Sequence, residues 1–218
     1  MKPLILINFK TYSESAGIKA LKLAQEIAKV KSKKYQIGIA PSLLSIKEVA
    51  KKVKIQVFSQ HADPVFLGAH TGSVSVEELK KIKVIGTILN HSERKLKFRY
   101  LKEIVKDCKK EKLKTIVCAS SIWEVKKVAQ LQPDYLAYEP RKLIGGKISV
   151  TEAKPKIIIR AVEAVKYLSP KTKLLCGAGI HSRQDLGQAL LSGAEGVLIA
   201  HAVVKARNPK KFLEGLLD

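Results

Sequence analysis

Residues 84–119 read VIGTILNHSERKLKFRYLKEIVKDCKKEKLKTIVCA. The stretch opens on an apolar, β-branched run, Val84–Asn90, and closes on another, Lys114–Ala119. Neither run alternates polar with apolar residues, so both predict strands buried on two faces. Between them Leu101, Ile104, Val105 and Cys108 recur at the spacing of one helix face, with Lys and Glu filling the others. A buried strand, a helix and a second buried strand predict parallel β/α structure.

The same alternation extends in both directions. Leu4–Lys10, Gln36–Ala40 and Ile55–Gln60 precede this stretch, and Tyr135–Glu139, Lys173–Cys176 and Gly196–Ala200 follow it, making eight predicted strands. Ile18, Leu21, Ala24, Ile27 and Ala28 form one predicted helix face, and Ile157, Ile158, Ala161, Val162 and Val165 another. Pro155 sits near the start of its helix, where a missing N–H costs little, and Asn208-Pro209 opens a short last helix. Eight β-then-α units fit either a closed barrel or a long doubly wound sheet. The count of eight and the helix at the end favour a (β/α)8 barrel. No Gly/Pro/Ser-rich linker divides the chain, so residues 1–218 are expected to be a single domain.

Composition narrows the function classes. With 46% hydrophobic and 28% charged residues, the chain reads as globular. No stretch resembles a membrane span or a secretory signal, which leads to an expected cytoplasmic location and no membrane partner. The cysteines, Cys108, Cys118 and Cys176, are odd in number and lack C-x-x-C spacing, so neither a disulfide framework nor a cysteine zinc site is expected. Cys118 and Cys176 lie in strand-like runs and read as core thiols. Lys plus Arg is 41 against 19 acidic residues, a formal charge of +22. Such a charge raises the question of nucleic acid. The basic residues are spread from Lys2 to Lys211 without an aromatic-interleaved RNA motif, so nucleic-acid binding is expected to be non-specific at most.

A barrel of this kind builds its active site at the carboxyl ends of its strands. Strand one ends in Asn8 and Lys10, strand four in Asn90-His91-Ser92-Glu93-Arg94, and strand six in Glu139-Pro140. Strand seven ends in Gly177-Ala178-Gly179 and strand eight in Ala200-His201-Ala202. Lys10 is a cation that could bind a phosphate-bearing anion and stabilise an enolate, or an ordinary flanking lysine. His91 precedes Ser92-Glu93, a plausible helix start whose positive potential would favour a neutral imidazole able to polarise a carbonyl. A structural histidine fits the position as well. Glu139, after an apolar run, could serve as a base or pair with a lysine. Beyond it, the aliphatic and glycine residues Leu143 to Gly146 suit a mobile lid or a plain loop. Gly177 and Gly179 let backbone approach an anion, and Ser182 could cap a helix aimed at phosphate.

These motifs are similar to those of triosephosphate isomerases. Asn8-Phe9-Lys10, Asn90-His91-Ser92-Glu93-Arg94, Ala137-Tyr138-Glu139-Pro140 with Leu143-Ile144-Gly145, and Cys176-Gly177-Ala178-Gly179-Ile180 carry the resemblance, which runs from Ile5 to about Lys205 and looks like the archaeal branch. It implies interconversion of dihydroxyacetone phosphate and D-glyceraldehyde 3-phosphate through an enediol or enediolate, in glycolysis and gluconeogenesis, without metal or organic cofactor. Lys10 would be the electrostatic clamp, His91 the electrophile and Glu139 the base. Asn8, Ile144, Gly145, Gly177, Ala178, Gly179, Ala200 and His201 would contact substrate, with Glu93 and Ser92 supporting. The Gln60–Ser73 segment resembles the loop that crosses the family's subunit interface, which implies a homodimer or homotetramer.

The chain departs from the archaeal pattern in places. Ile144-Gly145-Gly146-Lys147 stands where relatives read Ile-Gly-Thr-Gly, and Pro140-Arg141-Lys142 where many have a second proline and a glutamate. Ala200-His201-Ala202 replaces Ala-Ser-Gly. These touch the lid and the phosphate grip, so affinity and lid kinetics are expected to differ from those of relatives, while every side chain the resemblance makes catalytic is kept. A different barrel enzyme acting on a phosphorylated metabolite, and a non-catalytic binder of anionic partners, are the competing readings.

Overall fold

The computed structural model describes residues 2–140 and 156–218. Its strands are β1 (Leu4–Asn8), β2 (Gln36–Ala40), β3 (Gln56–Ser59), β4 (Gly86–Leu89), β5 (Lys114–Ala119), β6 (Tyr135–Tyr138), β7 (Lys173–Cys176) and β8 (Gly196–Ile199). Each pairs in parallel with the next, and β1 pairs with β8, from Leu4 opposite Gly196 to Ile7 opposite Ile199. The sheet is therefore a closed barrel, and the doubly wound alternative is set aside.

Side chains of a strand alternate between its faces, and the barrel sorts them accordingly. Leu4, Leu6, Phe58, Ile88, Ile116, Cys118, Tyr135, Ala137, Leu175 and Leu198 pack together as the inner core. Ile5, Ile7, Leu89, Val117, Leu136 and Val197 belong to the outer layer beneath the helices. Following the inner row to the end of β1 and past the ends of β3, β6 and β7 gives Asn8 after Leu6, Gln60 after Phe58, Glu139 after Ala137 and Gly177 after Leu175. The period of two thus delivers these residues to the mouth.

The described helices are α1 (Ile18–Lys29), α2 (Ile46–Lys52), α3 (Val76–Lys81), α4 (Phe98–Lys110), α5 (Ile122–Ala129), α6 (Lys156–Leu168), α7 (Arg183–Leu191), α8 (His201–Val204) and α9 (Pro209–Leu217). Ser75, Ser121, Ser182 and Asn208 each accept the N–H of the residue three further on, which fixes the starts of α3, α5, α7 and α9. Helix α4 buries Leu101, Ile104, Val105 and Cys108 as expected. Helix α1 differs from expectation: its buried stripe is Ala20, Leu23, Ala24 and Ile27, while Ile18 is 72% exposed. Two residues before Ala20, Ile18 lies more than half a turn round the helix and faces outward.

All three cysteines are free and buried. Burial pushes the Cys108 and Cys176 thiols up to about 12. Burial first, then the charge of Glu139, raises the Cys118 thiol well above its ordinary range. No described helix is long and apolar enough to cross a membrane.

Candidate active site

Lys10 lies just beyond β1, where its backbone turns left-handed (φ 47), so the strand ends before it. Its N–H donates to Asn8 Oδ1 at 3.0 Å, and its ammonium reaches Glu93 Oε1 at 2.6 Å. Glu93 is largely exposed, so this ion pair is screened and serves to orient Lys10 more than to stabilise the fold.

His91 follows β4, but no helix starts at Ser92-Glu93. The segment is a turn closed by the Arg94 N–H on the His91 carbonyl at 2.9 Å, and α4 begins only at Phe98. Asn90 is the cause. At φ 57 its Oδ1 accepts the Leu96 N–H at 3.1 Å, while Nδ2 donates to the Cys118 carbonyl and to Glu124 Oε1, both at 2.9 Å. The chain winds round this carboxamide instead of entering a helix, so the helix-terminus argument for His91 does not hold. A backbone N–H takes its place: that of Glu93 donates to His91 Nδ1 at 3.2 Å. A ring nitrogen that accepts presents a lone pair, which leaves the ring hydrogen on Nε2. Nε2 stands 3.2 Å from Glu139 Oε1. Ser92 lies in the same turn, with a buried hydroxyl that has no hydrogen-bond partner among the described residues.

Glu139 is buried, and its N–H donates to the Ala119 carbonyl at 2.8 Å, extending the β5–β6 ladder by one bond. Cys118 belongs to the inner core, close enough to this carboxylate for the Glu139 charge to raise its thiol. Gly177 packs on its other side. A Cβ at position 177 would stand 2.5 Å from Glu139 Cγ and 3.0 Å from the Tyr138 carbonyl oxygen. The glycine expected to admit an anion therefore first makes room for Glu139.

Gly179 has φ 74, and the Ser182 hydroxyl caps α7 as expected, accepting from Asp185 N at 3.2 Å. Ala200 caps α8 and His201 is its first residue. The His201 ring stands edge-on to Tyr12, centroids 6.3 Å apart, and lines a hollow of about 430 Å³ with Lys205, Arg207 and Lys211. Ile144 and Gly145, with the other expected lid residues, lie outside the described residues, as does Pro155. Among the described residues, no group of three or more His, Cys, Asp or Glu side chains is placed to hold a metal ion.

Two supporting residues escaped the sequence reading. Glu124 joins Asn90, Lys95 Nζ at 2.6 Å and the Ser120 N–H at 2.7 Å. Burial alone would raise its carboxyl, but these partners outweigh burial and lower it. Gln60, read as the end of a strand and the first residue of the interface loop, donates to the carbonyls of Lys10 and Ala40. The inner-row parity that delivers Glu139 could have found it.

The fold and the site define a (β/α)8-barrel enzyme whose mouth gathers a buried carboxylate, an imidazole N–H and an ammonium. The comparisons with known proteins agree with that class. A family model described as triosephosphate isomerase matches residues 3–216. The chain is 42% identical to the triosephosphate isomerase of Methanothermus fervidus, with 99% of this chain and 98% of the relative covered. It is 41% identical to that of Methanocaldococcus jannaschii, with 98% of each covered, and 39% identical to that of Methanobrevibacter smithii, with 99% and 96% covered. The chain belongs to the triosephosphate isomerase family, and it is an isomerase.

Proposed function

We propose that this chain interconverts dihydroxyacetone phosphate and D-glyceraldehyde 3-phosphate in the cytoplasm, as a step of glycolysis and gluconeogenesis. The observation that carries the reading is the 3.2 Å approach of His91 Nε2 to Glu139 Oε1, with Lys10 joined to the same turn through Glu93. Glu139 takes a proton from the carbon beside the substrate carbonyl. The electron pair moves onto the carbonyl oxygen and gives an enediolate, which the Nε2 hydrogen of His91 and the Lys10 ammonium stabilise. The hydroxyl proton on the deprotonated carbon's oxygen passes to the former carbonyl oxygen, a carbonyl forms where the hydroxyl was, and Glu139 returns its proton to the adjacent carbon. Electrons and protons balance within the substrate, so the reaction calls for no cofactor.

Asn8 orients Lys10 beside the substrate. Backbone N–H groups of Ala178, Gly179, Ala200 and His201, with Ile144 and Gly145 of the lid, hold the phosphate, while Gly177, whose own N–H donates to the Tyr138 carbonyl at 2.8 Å, contacts the substrate through its bare backbone. A coupled assay for turnover of either triose phosphate tests this reading. Turnover that disappears in Glu139→Gln supports it, and an inactive wild-type enzyme refutes it.

The assembly we propose is a homodimer or homotetramer formed through the Gln60–Ser73 loop. The loop is pinched at its neck, where the Asp63 N–H donates to the Val74 carbonyl and the Val74 N–H to Asp63 Oδ2, both at 2.8 Å. Phe66 and Leu67 project from it, 62% and 51% exposed. Paired apolar side chains held out on a braced loop favour burial against another copy.

A further inference from the structure

Lys10 holds a backbone conformation that side-chain-bearing residues other than Asn and Asp rarely adopt (φ 47). A lysine gains nothing locally from that conformation, so its surroundings must impose it. The Lys10 N–H is fixed by Asn8 Oδ1 at 3.0 Å. The Lys10 carbonyl accepts a hydrogen bond from Gln60 Nε2 at 3.2 Å. The same Nε2 donates to the Ala40 carbonyl at 2.9 Å, at the end of β2. The Ala40 carbonyl also accepts the N–H of Phe9 at 2.9 Å, so it is itself anchored to the chain just before Lys10.

A primary amide has two N–H donors on one nitrogen, and here each finds a separate carbonyl. Gln60 therefore ties the peptide after Lys10 to the end of the neighbouring strand. We infer that Gln60 is a positioning residue for Lys10, holding its strained backbone so that the ammonium is presented at the barrel mouth. This rests on the proposed role of Lys10. The choice of residue follows from the geometry: a glutamate in the same place would set acceptor oxygens against two carbonyl oxygens, and a methionine would fill the space without donating.

The test is a double-mutant cycle on the full-length enzyme, with kcat/KM for a triose phosphate measured in wild type, Gln60→Met, Lys10→Met and the double variant. Circular dichroism and sedimentation run alongside check fold and assembly. Gln60→Met is expected to lower kcat/KM by about tenfold to a hundredfold in the wild-type background, and less than about twofold in the Lys10→Met background. Equal losses in both backgrounds would mean that Gln60 acts elsewhere, and wild-type kcat/KM in Gln60→Met would mean that it does not act at all. Either result overturns the inference. Near-normal kcat/KM in Lys10→Met would instead remove the role of Lys10, a separate failure. Hydrogen exchange of the Gln60 side-chain amide in the wild-type enzyme serves where Gln60→Met does not fold. Both hydrogens are expected to be protected, and rapid exchange of either breaks the proposed tie.

Discussion

At position 177 there is no room for a methyl group beside Glu139 Cγ and the Tyr138 carbonyl. Gly177→Ala must therefore displace the carboxylate or the strand that carries it. Misplacing a reacting group by about 1 Å costs on the order of a hundredfold. We expect Gly177→Ala to lower kcat by about tenfold or more with a smaller change in KM, in a protein that keeps its circular dichroism. A raised KM with unchanged kcat would show that the position serves the phosphate and not the base. Glu139→Gln should keep the fold and lower kcat by about two to four orders of magnitude, the usual contribution of a positioned base. Near-normal turnover would take Glu139 out of that role. Lys10, His91 and Glu139 were legible because each is a polar residue closing an apolar strand. The reason for glycine at 177, and the Glu93 N–H that sets the ring hydrogen of His91, were not. Both depend on contacts between segments whose spacing leaves no local trace.

The elements themselves read well from sequence, because eight apolar runs and amphipathic faces such as that of α4 state their own periods. The failures lie at the ends. Ser92-Glu93 has the composition of a helix start, yet the Asn90 side chain satisfies the backbone there and defers α4 to Phe98. The neck of the Gln60–Ser73 loop is another feature set by side chains. His61 is buried and hydrogen-bonded to Asp63 Oδ1 at 2.8 Å, with an Arg94 guanidinium nitrogen 3.9 Å from the same oxygen. Burial holds His61 below its ordinary value, partly offset by Asp63. The unfolded chain therefore binds the proton more readily. The stability contributed by neutral His61 is complete above pH ~6.5 and is lost as pH falls. Asp63 is likewise lowered, since the Val74 N–H and His61 outweigh its burial, and its contribution is lost only at lower pH. The melting temperature should fall between pH 7 and pH 5, less steeply in His61→Asn than in wild type. Parallel slopes would show that His61 does not titrate with folding.

Across the whole molecule, closure of the sheet leaves no barrel strand with an unpaired edge. A surface of +22 should bind duplex DNA weakly at low salt and release it as salt rises, because the attraction comes from displaced counterions. Titrating labelled duplexes of different sequence over a salt series checks this. Binding that survives high salt, or that prefers one sequence, would point to a dedicated nucleic-acid surface. The three thiols have a different kind of use. Cys118 lies inside the barrel, whereas Cys108 and Cys176 lie between barrel and helices. All three are buried with raised pKa, and reaction with alkylating reagents requires an exposed thiolate. The native enzyme is thus chemically silent towards such reagents, and its cysteines become a built-in clock of opening. Brief alkylation during denaturation, followed by mass mapping, would time the peeling of the helical shell at Cys108 and Cys176 separately from the rupture of the barrel at Cys118.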